Sequence, residues 1–321
     1  MSLKNKNDEK KHKVFIKKYR YKSKVLVVLI FVIFLLSKLS VFNCLGFIGM
    51  NEAKLIIKEF EKCYLYNDVF KDEKYIETKN KLFIKGFTTK AKIYDLISEA
   101  KELAKDNTTE FRYVNFLQGK FSHSFSKGSP IKRKHLNIDT IYIRLDNFHE
   151  GTAHKFSKIL EKEDAMNSLV LDLRGNNMGS YIEAIQIADD LLPEGNIIAQ
   201  IECSNSKHLY CSNPFHYNFD KVYILVDNES GYCTEIIALA LKENLKDKVM
   251  IIGNETMKMK VGFVLKEYNS KIAINIAHLN WNVKGKSAAD LSKHIYNYND
   301  IESKDKNDNV SLEKIMEIIK Q

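Results

Sequence analysis

The stretch that decides the fold covers residues 222–241 and reads VYILVDNESGYCTEIIALAL. Its first five residues are apolar or aromatic and mostly β-branched, which predicts a strand. Polar residues and a glycine between 227 and 231 interrupt this strand, and an apolar-periodic helix begins near Thr234. Such a strand-turn-helix junction can present one side chain beside the free backbone N–H groups of the helix start. That geometry is useful for acyl transfer.

The sequence around this stretch alternates between strand and helix patterns. The predicted strands are 141–145, 169–173, 197–201, 222–226, 249–252, 261–267 and 271–278, and the predicted helices are 152–163, 180–192 and the segment that ends near 245. Because helices and strands alternate, we predict an α/β core with helices packed on a largely parallel sheet.

Helical patterns precede this core. Apolar residues recur at helical spacing over 51–66 and 88–105, and a third helix is predicted over 108–122. The polar stretch between the first two shows few helix signals. We interpret these helices as a cap on the core. At the other end, 300–310 is polar and 311–320 predicts a short amphipathic helix.

The N-terminus has the pattern of a membrane anchor. Residues 25–36 (VLVVLIFVIFLL) are all apolar, and apolar character resumes after Lys38, which can snorkel to the interface. Residues 1–24 carry ten Lys and Arg against two acidic residues, a positive-inside signal. We predict an uncleaved single-pass signal anchor in the cell membrane, with a cytoplasmic N-terminus and the bulk of the chain extracytoplasmic. A cleaved signal peptide and a buried core helix are the alternatives.

Composition limits the remaining function classes. The chain has 321 residues, is 45% hydrophobic and contains 3 prolines, which fits one or two globular domains and excludes a largely disordered protein. The basic tail accounts for nearly all of the net charge of +9, so the charge does not indicate nucleic acid as a partner. The five cysteines lack zinc-site spacing, and no cofactor or metal is predicted. Cys203 and Cys211 are either a disulfide or two free thiols.

Two further stretches carry a family resemblance. Residues 141–160 read IYIRLDNFHEGTAHKFSKIL, and residues 169–195 read LVLDLRGNNMGSYIEAIQIADDLLPEG. Together with 228–236 and 251–256, in this order, they resemble the carboxy-terminal processing (tail-specific) serine protease family over residues 140–290. The resemblance implies a crotonase-like α/β core and, in active members, a serine-lysine dyad with backbone N–H groups that hold the oxyanion. That family usually carries a PDZ domain before its core. Only residues 125–138 are available for one here, so we expect a divergent member without it.

The family's catalytic positions fall on residues of different chemistry. The nucleophile position falls on Tyr232, the general-base lysine on Met259 and the assisting glutamine on Phe263. A phenol is a poor nucleophile for peptides, and methionine cannot accept a proton. In the oxyanion or substrate-strand region, the first of two paired glycines is Met178, which leaves only Gly179.

Two hypotheses follow. The first is a pseudoprotease with a degenerate dyad that binds polypeptide C-termini or a partner protein. The second is an active serine-type peptidase that uses a shifted Ser230 with Lys258 or Lys260. Cys233 is a further candidate nucleophile, although a lone helix cysteine more often belongs to a core. The oligomeric state stays open.

The predicted organisation therefore has five segments. They are a basic cytoplasmic tail at 1–24, a transmembrane signal anchor at 25–49, a helical cap region at 50–138, a tail-specific protease-like core domain at 139–299, and a polar tail with a short helix at 300–321.

Overall fold

A computed structural model describes residues 46–82, 87–113, 131–163, 166–177, 179–270, 272–297 and 316–317. The chain divides into two units. Residues 1–62, 68–114 and 266–274 form the first unit, and 63–67, 115–265 and 275–321 form the second. Of the predicted anchor, all but residues 46–49 lie outside the described part. Within the described ranges, no helix is both long and apolar enough to cross a bilayer.

The first unit combines helices with short strands. Its elements are β1 (Phe47–Gly49), α1 (Met50–Cys63), a 3-10 turn (Asn67–Lys71), α2 (Glu73–Asn80), β2 (Phe87–Thr89), α3 (Lys90–Ala104) and β3 (Glu110–Tyr113). Strands β1 and β2 pair antiparallel. The Thr89 hydroxyl caps α3 by accepting the Lys92 N–H, and Asp72 caps α2 by accepting the Lys74 N–H.

Two of the three helices predicted ahead of the core are confirmed as helices. They correspond to α1 and α3, whose buried residues recur on one helical face. The third prediction, a helix over 108–122, is wrong at 110–113, where the chain forms β3, and residues 114–122 lie outside the described part. Helix α2 was not predicted. Its sequence is polar, and Tyr75 is its one buried side chain, so hydrophobic periodicity could not reveal it.

The second unit contains the predicted α/β core. Its strands are β4 (Lys132–His135), β5 (Thr140–Arg144), β6 (Ser168–Asp172), β7 (Ile197–Cys203), β8 (Ser206–Cys211), β9 (Lys221–Val226), β10 (Val249–Gly253), β11 (Val261–Tyr268), β12 (Ile272–Asn282) and β13 (Ile295–Tyr296). Its helices are α4 (Thr152–Leu160), α5 (Tyr181–Asp189), α6 (Cys233–Leu245) and α7 (Ala288–Leu291), with 3-10 turns at Lys246–Lys248 and Ser292–His294. Residues 266–274 of β11 and β12 are counted with the first unit.

The main sheet has the strand order β13-β10-β9-β6-β5-β4. All neighbours pair parallel except β4 and β5, which confirms a largely parallel sheet.

Val222, Ile224 and Val226 alternate along β9 and enter the same hydrophobic core as α6, nine of whose residues are buried. A helix that is apolar on nearly every face is a buried helix. Strand β9 and helix α6 therefore hold the turn between them rigidly.

A second sheet has the order β11-β12-β7-β8, and β7 pairs antiparallel with both neighbours. In the β7–β8 hairpin, Cys203 pairs with Ser206 beside the turn, whereas Cys211 pairs with Ile197 at the far end. The two cysteines are free thiols, because the antiparallel register keeps them at opposite ends of the hairpin. Near the C-terminus, residues 316–317 are helical, and the rest of the predicted helix 311–320 lies outside the described part.

Candidate active site

Tyr232, the residue that the family resemblance predicts at the nucleophile position, immediately precedes helix α6. Its backbone has φ +41° and ψ −94°, a conformation that side-chain-bearing residues rarely adopt. Such strain is typical of a sharp strand-to-helix turn that presents a nucleophile. The phenol itself is 5% exposed. Its ring lies against Gly262, where an added Cβ would come within 2.5 Å of Tyr232 Cζ. The turn thus has a strained backbone at Tyr232, and the buried ring packs on Gly262.

The family's general-base position, Met259, lies beside the same turn. A Cβ added to Gly231 would come within 2.7 Å of Met259 Sδ. The indole of Trp281 donates to the Met259 carbonyl at 2.9 Å, which fixes this segment. The backbone N–H groups of Tyr232 and Met259 both donate to the Glu235 carboxylate, so the structure brings these two positions close together.

The carboxylate of Glu235 joins the turn to the Met259 segment. It accepts the Tyr232 N–H at 2.8 Å, the Thr256 hydroxyl at 2.6 Å, the Lys258 N–H at 2.7 Å and the Met259 N–H at 3.0 Å. Glu235 is fully buried. Burial raises the pKa of this carboxyl above its usual range, and the four hydrogen bonds oppose that rise. The four donors belong to the Tyr232 turn and to the 256–259 segment. Glu235 therefore holds these two parts of the site together.

The shifted nucleophile candidate, Ser230, is a buried turn residue. Its hydroxyl lies 3.0 Å from the Leu173 carbonyl oxygen and 2.9 Å from Asp227 Oδ1, and it accepts the Asp227 N–H at 3.0 Å. The side chain is 0% exposed. These contacts close the 227–230 turn and orient the hydroxyl toward the main chain.

The shifted base candidates lie on the surface. Lys258 is exposed, and its ammonium contacts the Glu255 carboxylate at 2.8 Å. Lys260 is exposed as well. Within the described residues, the hydrogen-bond partners of the Ser230 hydroxyl come from residues 173 and 227 and do not include either lysine.

The remaining nucleophile candidate, Cys233, is fully buried at the first residue of α6. Burial raises the pKa of its thiol well above the usual range, which disfavours the reactive thiolate. Burial likewise raises the pKa of the Tyr232 phenol, and nearby Cys233 and Tyr181 add to the effect. Both groups are therefore held in their neutral forms at neutral pH.

The substrate-strand region keeps one of its features. Gly179 has φ +127° and pairs with Phe148, and an added Cβ would come within 2.6 Å of the Phe148 carbonyl oxygen. Only glycine fits this position without strain. Met178 lies outside the described residues. The carbonyl of Asn176 accepts the Gly231 N–H at 3.2 Å and the Thr234 hydroxyl at 2.8 Å. Asn176 is thus bonded directly to both sides of the turn that contains Tyr232.

An ion-pair network around Asp172 holds the chain where strand β6 ends and the next turn begins. The Asp172 carboxylate, at the end of β6, receives hydrogen bonds from Tyr142, Arg144 and Arg174 at 2.7 Å, 3.1 Å and 2.7 Å. Although burial alone would raise the pKa of Asp172, the bond and charge of Arg174 hold it below its usual range. The Nη2 group of Arg144 donates to the Arg174 carbonyl at 3.2 Å. The network fixes the path of the chain from β6 into the turn.

Comparison with known proteins identifies this arrangement. Residues 139–289 match the model of peptidase family S41. The chain belongs to peptidase family S41. It is 29% identical to the carboxy-terminal processing protease CtpA of Bacillus subtilis over 164 residues, which is 47% of this chain and 35% of that protein. It is 27% identical to the chloroplastic carboxyl-terminal-processing peptidase 2 of Arabidopsis thaliana over 143 residues, 42% of this chain and 27% of that protein. The chain thus spans about a third of the length of these relatives.

Solved structures agree with the S41 fold. The photosystem II D1 C-terminal processing protease superposes with a TM-score of 0.54 at 12% identity, covering 74% of this chain and 90% of that one. A lipoprotein from Streptococcus agalactiae gives 0.51 at 12% identity, covering 74% and 86%. These likenesses establish a mixed α/β fold of the S41 protease type. The family match and the fold therefore agree.

Motif counting did not identify two residues that shape this S41 site. Glu235 was not predicted as a site residue, yet it holds the site together. A single acid inside the apolar run TEIIALAL is a signal for a buried, bonded carboxylate. Gly262 carries no comparable signal, because its role depends on a ring contributed from position 232.

Proposed function

We propose that this S41 chain is a pseudoprotease that binds polypeptide without cleaving it. The observation that carries the proposal is the buried Tyr232 phenol seated on Gly262, at the turn where the family's nucleophile stands. Acyl transfer requires a nucleophile within reach of a proton acceptor. The side chains at the two positions are a neutral phenol and, on the segment bonded to the same Glu235 carboxylate, the thioether of Met259, which cannot accept the proton.

The proposed ligand is a polypeptide C-terminus or a partner protein. Support comes from the bonded frame around the site, in which Glu235 and Asn176 hold the turn that contains Tyr232 to its neighbouring segments. A frame maintained by buried hydrogen bonds keeps its shape whether or not chemistry occurs in it. A site that is rigid before binding loses little entropy when a peptide binds to it.

The proposal includes a membrane anchor and an extracytoplasmic location. Its support is the sequence alone, namely the apolar run at 25–36 behind the basic residues of 1–24. An anchored, non-cleaving domain would hold bound polypeptides at the membrane surface.

Incubation of the full chain with unstructured peptides tests the proposal. Mass spectrometry would follow cleavage, and fluorescence anisotropy would follow binding of the same peptides with free or amidated C-termini. We expect saturable binding without cleavage in the wild type, and the same in Ser230→Ala and in Lys258→Ala/Lys260→Ala. Cleavage that disappears in either variant would establish the active peptidase instead. Absence of peptide binding would overturn the binding role.

A further inference from the structure

A cavity lies at the opposite end of the core from the Tyr232 turn. Its volume is about 670 Å³, and the first residues of three parallel strands line it, namely Lys221 of β9, Val249 of β10 and Ile295 of β13. The Tyr232 turn follows the other end of β9. Six residues of strand span roughly 20 Å, as do the thirteen residues of α6. The cavity is therefore a separate site, and we call it the basic cavity.

The floor of the basic cavity is aromatic and apolar. Tyr223 and Met250 are register partners on β9 and β10, so their side chains share one face of the sheet. This face is opposite to the one that Val222 and Ile224 present to the core with α6. Tyr296 on β13 completes the floor. Met250 is 36% exposed and Tyr296 is 41% exposed, so the floor offers a ring-binding surface to solvent.

The walls of the basic cavity carry more positive than negative groups. Lys221, Lys242, Lys293 and His294 line it together with a single acid, Asp247. Lys293 contacts Asp290 and His294 contacts Glu243, so these two are balanced by carboxylates.

The other two lysines are held differently. The ammonium of Lys221 donates to the Asp247 carbonyl at 3.1 Å, and that of Lys242 donates to the carbonyls of Lys246 and Val249 at 3.0 Å and 2.8 Å. Hydrogen bonds to backbone carbonyls orient an ammonium without supplying a full negative charge. Lys221 is exposed, so its oriented ammonium remains available to bind an anion.

We propose that the basic cavity binds a small organic anion that has a flat ring system as its body and a phosphate or carboxylate as its head. The ring would lie on Tyr223, Met250 and Tyr296, and the head would contact Lys221 and Lys242. The volume suits a ligand of this size, since small-molecule sites usually measure about 300–1,000 Å³. The proposal does not depend on the peptide-binding role, because the two sites use different residues.

Isothermal titration calorimetry on the full chain tests the proposal with adenosine 5′-monophosphate as the probe. Benzoate and phenyl phosphate, run in parallel, distinguish a carboxylate head from a phosphate head. We expect the nucleotide to bind, and both adenosine and inorganic phosphate to bind at least about tenfold more weakly. Loss of one charged contact by Lys221→Gln should weaken binding about tenfold, and Tyr296→Ala should weaken it several-fold.

A matched control is Lys248→Gln, because Lys248 is exposed on the turn after α6 and does not line the cavity. This variant should bind as the wild type does. Equal affinity for inorganic phosphate and the nucleotide would overturn the ring-binding floor, and equal affinity for adenosine would overturn the anion site. Absence of binding by the nucleotide, phenyl phosphate and benzoate alike would overturn the proposal as a whole. Equal weakening by Lys248→Gln and Lys221→Gln would place the anion on the general surface and overturn it as well.

Discussion

The two ends of β9 differ in how they use their polar groups. At the Tyr232 turn, Ser230, Glu235 and Thr256 are buried, and their polar atoms bond to one another or to the main chain. At the basic cavity, Lys221 is exposed, and its ammonium contacts only a carbonyl among the described residues. Groups satisfied internally stabilise a frame, whereas exposed and oriented groups remain available to a ligand. This difference is the one expected if the turn serves as a scaffold, as the proposed function requires.

The largest expected effect is at the centre of that scaffold. Glu235→Ala removes the acceptor of four hydrogen bonds and leaves buried donors unsatisfied, so we expect a loss of about 3 kcal/mol or more in the free energy of unfolding. Urea denaturation measures it. The matched control is Glu255→Ala, since that side chain is exposed and, among the described residues, pairs with Lys258; its loss should cost about 0.5 kcal/mol or less. Similar losses in both variants would contradict the role of Glu235.

The contact between position 232 and position 262 gives the next effect. Gly262→Ala would place a methyl group within 2.5 Å of the Tyr232 ring, and overpacking of this kind costs about 1–3 kcal/mol. In a Tyr232→Ser background the space is open, so the same substitution should cost far less. A double-mutant cycle on unfolding free energies measures the coupling. Equal costs in the two backgrounds would show that the ring does not occupy this space.

A smaller effect is expected at the hydroxyl of Ser230. Ser230→Ala breaks its bonds to Leu173 and Asp227 and should lower the free energy of unfolding by about 1–2 kcal/mol. Ser206→Ala, at an exposed position, should leave stability nearly unchanged. An unchanged stability in Ser230→Ala would mean that the hydroxyl does not hold the turn.

The smallest effect belongs to the other end of β9. Lys221→Gln should change the free energy of unfolding by about 0.5 kcal/mol or less, because the residue is exposed and its charge is not paired in the core. The same denaturation series measures it. A loss as large as that of Ser230→Ala would mean that both ends of β9 are scaffold, and the contrast between them would fail.

Most of the core could be predicted from the sequence, because its strands and helices have local periodic patterns. β9 and α6 begin and end within about one residue of the predicted positions. β3 was mistaken for a helix, since the pairing that makes a strand depends on residues distant in the chain. The free state of Cys203 and Cys211 likewise follows from a hairpin register that their spacing does not specify.

Residues of the site could be predicted only where their spacing from a sequence motif is fixed. Counting from motif residues predicted Tyr232 at the nucleophile position and Met259 at the general-base position. The structure brings both residues to the same turn. The function of Glu235 depends on donors from 21 to 24 residues away, which no local pattern records. The basic cavity is even harder to predict from the sequence, because residues of β9, α6, β10 and β13 each contribute to it.

The most direct test of the central claim is peptide cleavage by a chain whose two chemical positions are restored. Tyr232→Ser/Met259→Lys would be assayed beside the wild type on the same unstructured peptides, with cleavage sites read by mass spectrometry. If the scaffold is intact and only the chemistry is lost, the double variant cleaves and the wild type does not. Cleavage by the wild type that Ser230→Ala abolishes would contradict the account, and failure of a folded double variant to cleave would contradict the intact scaffold.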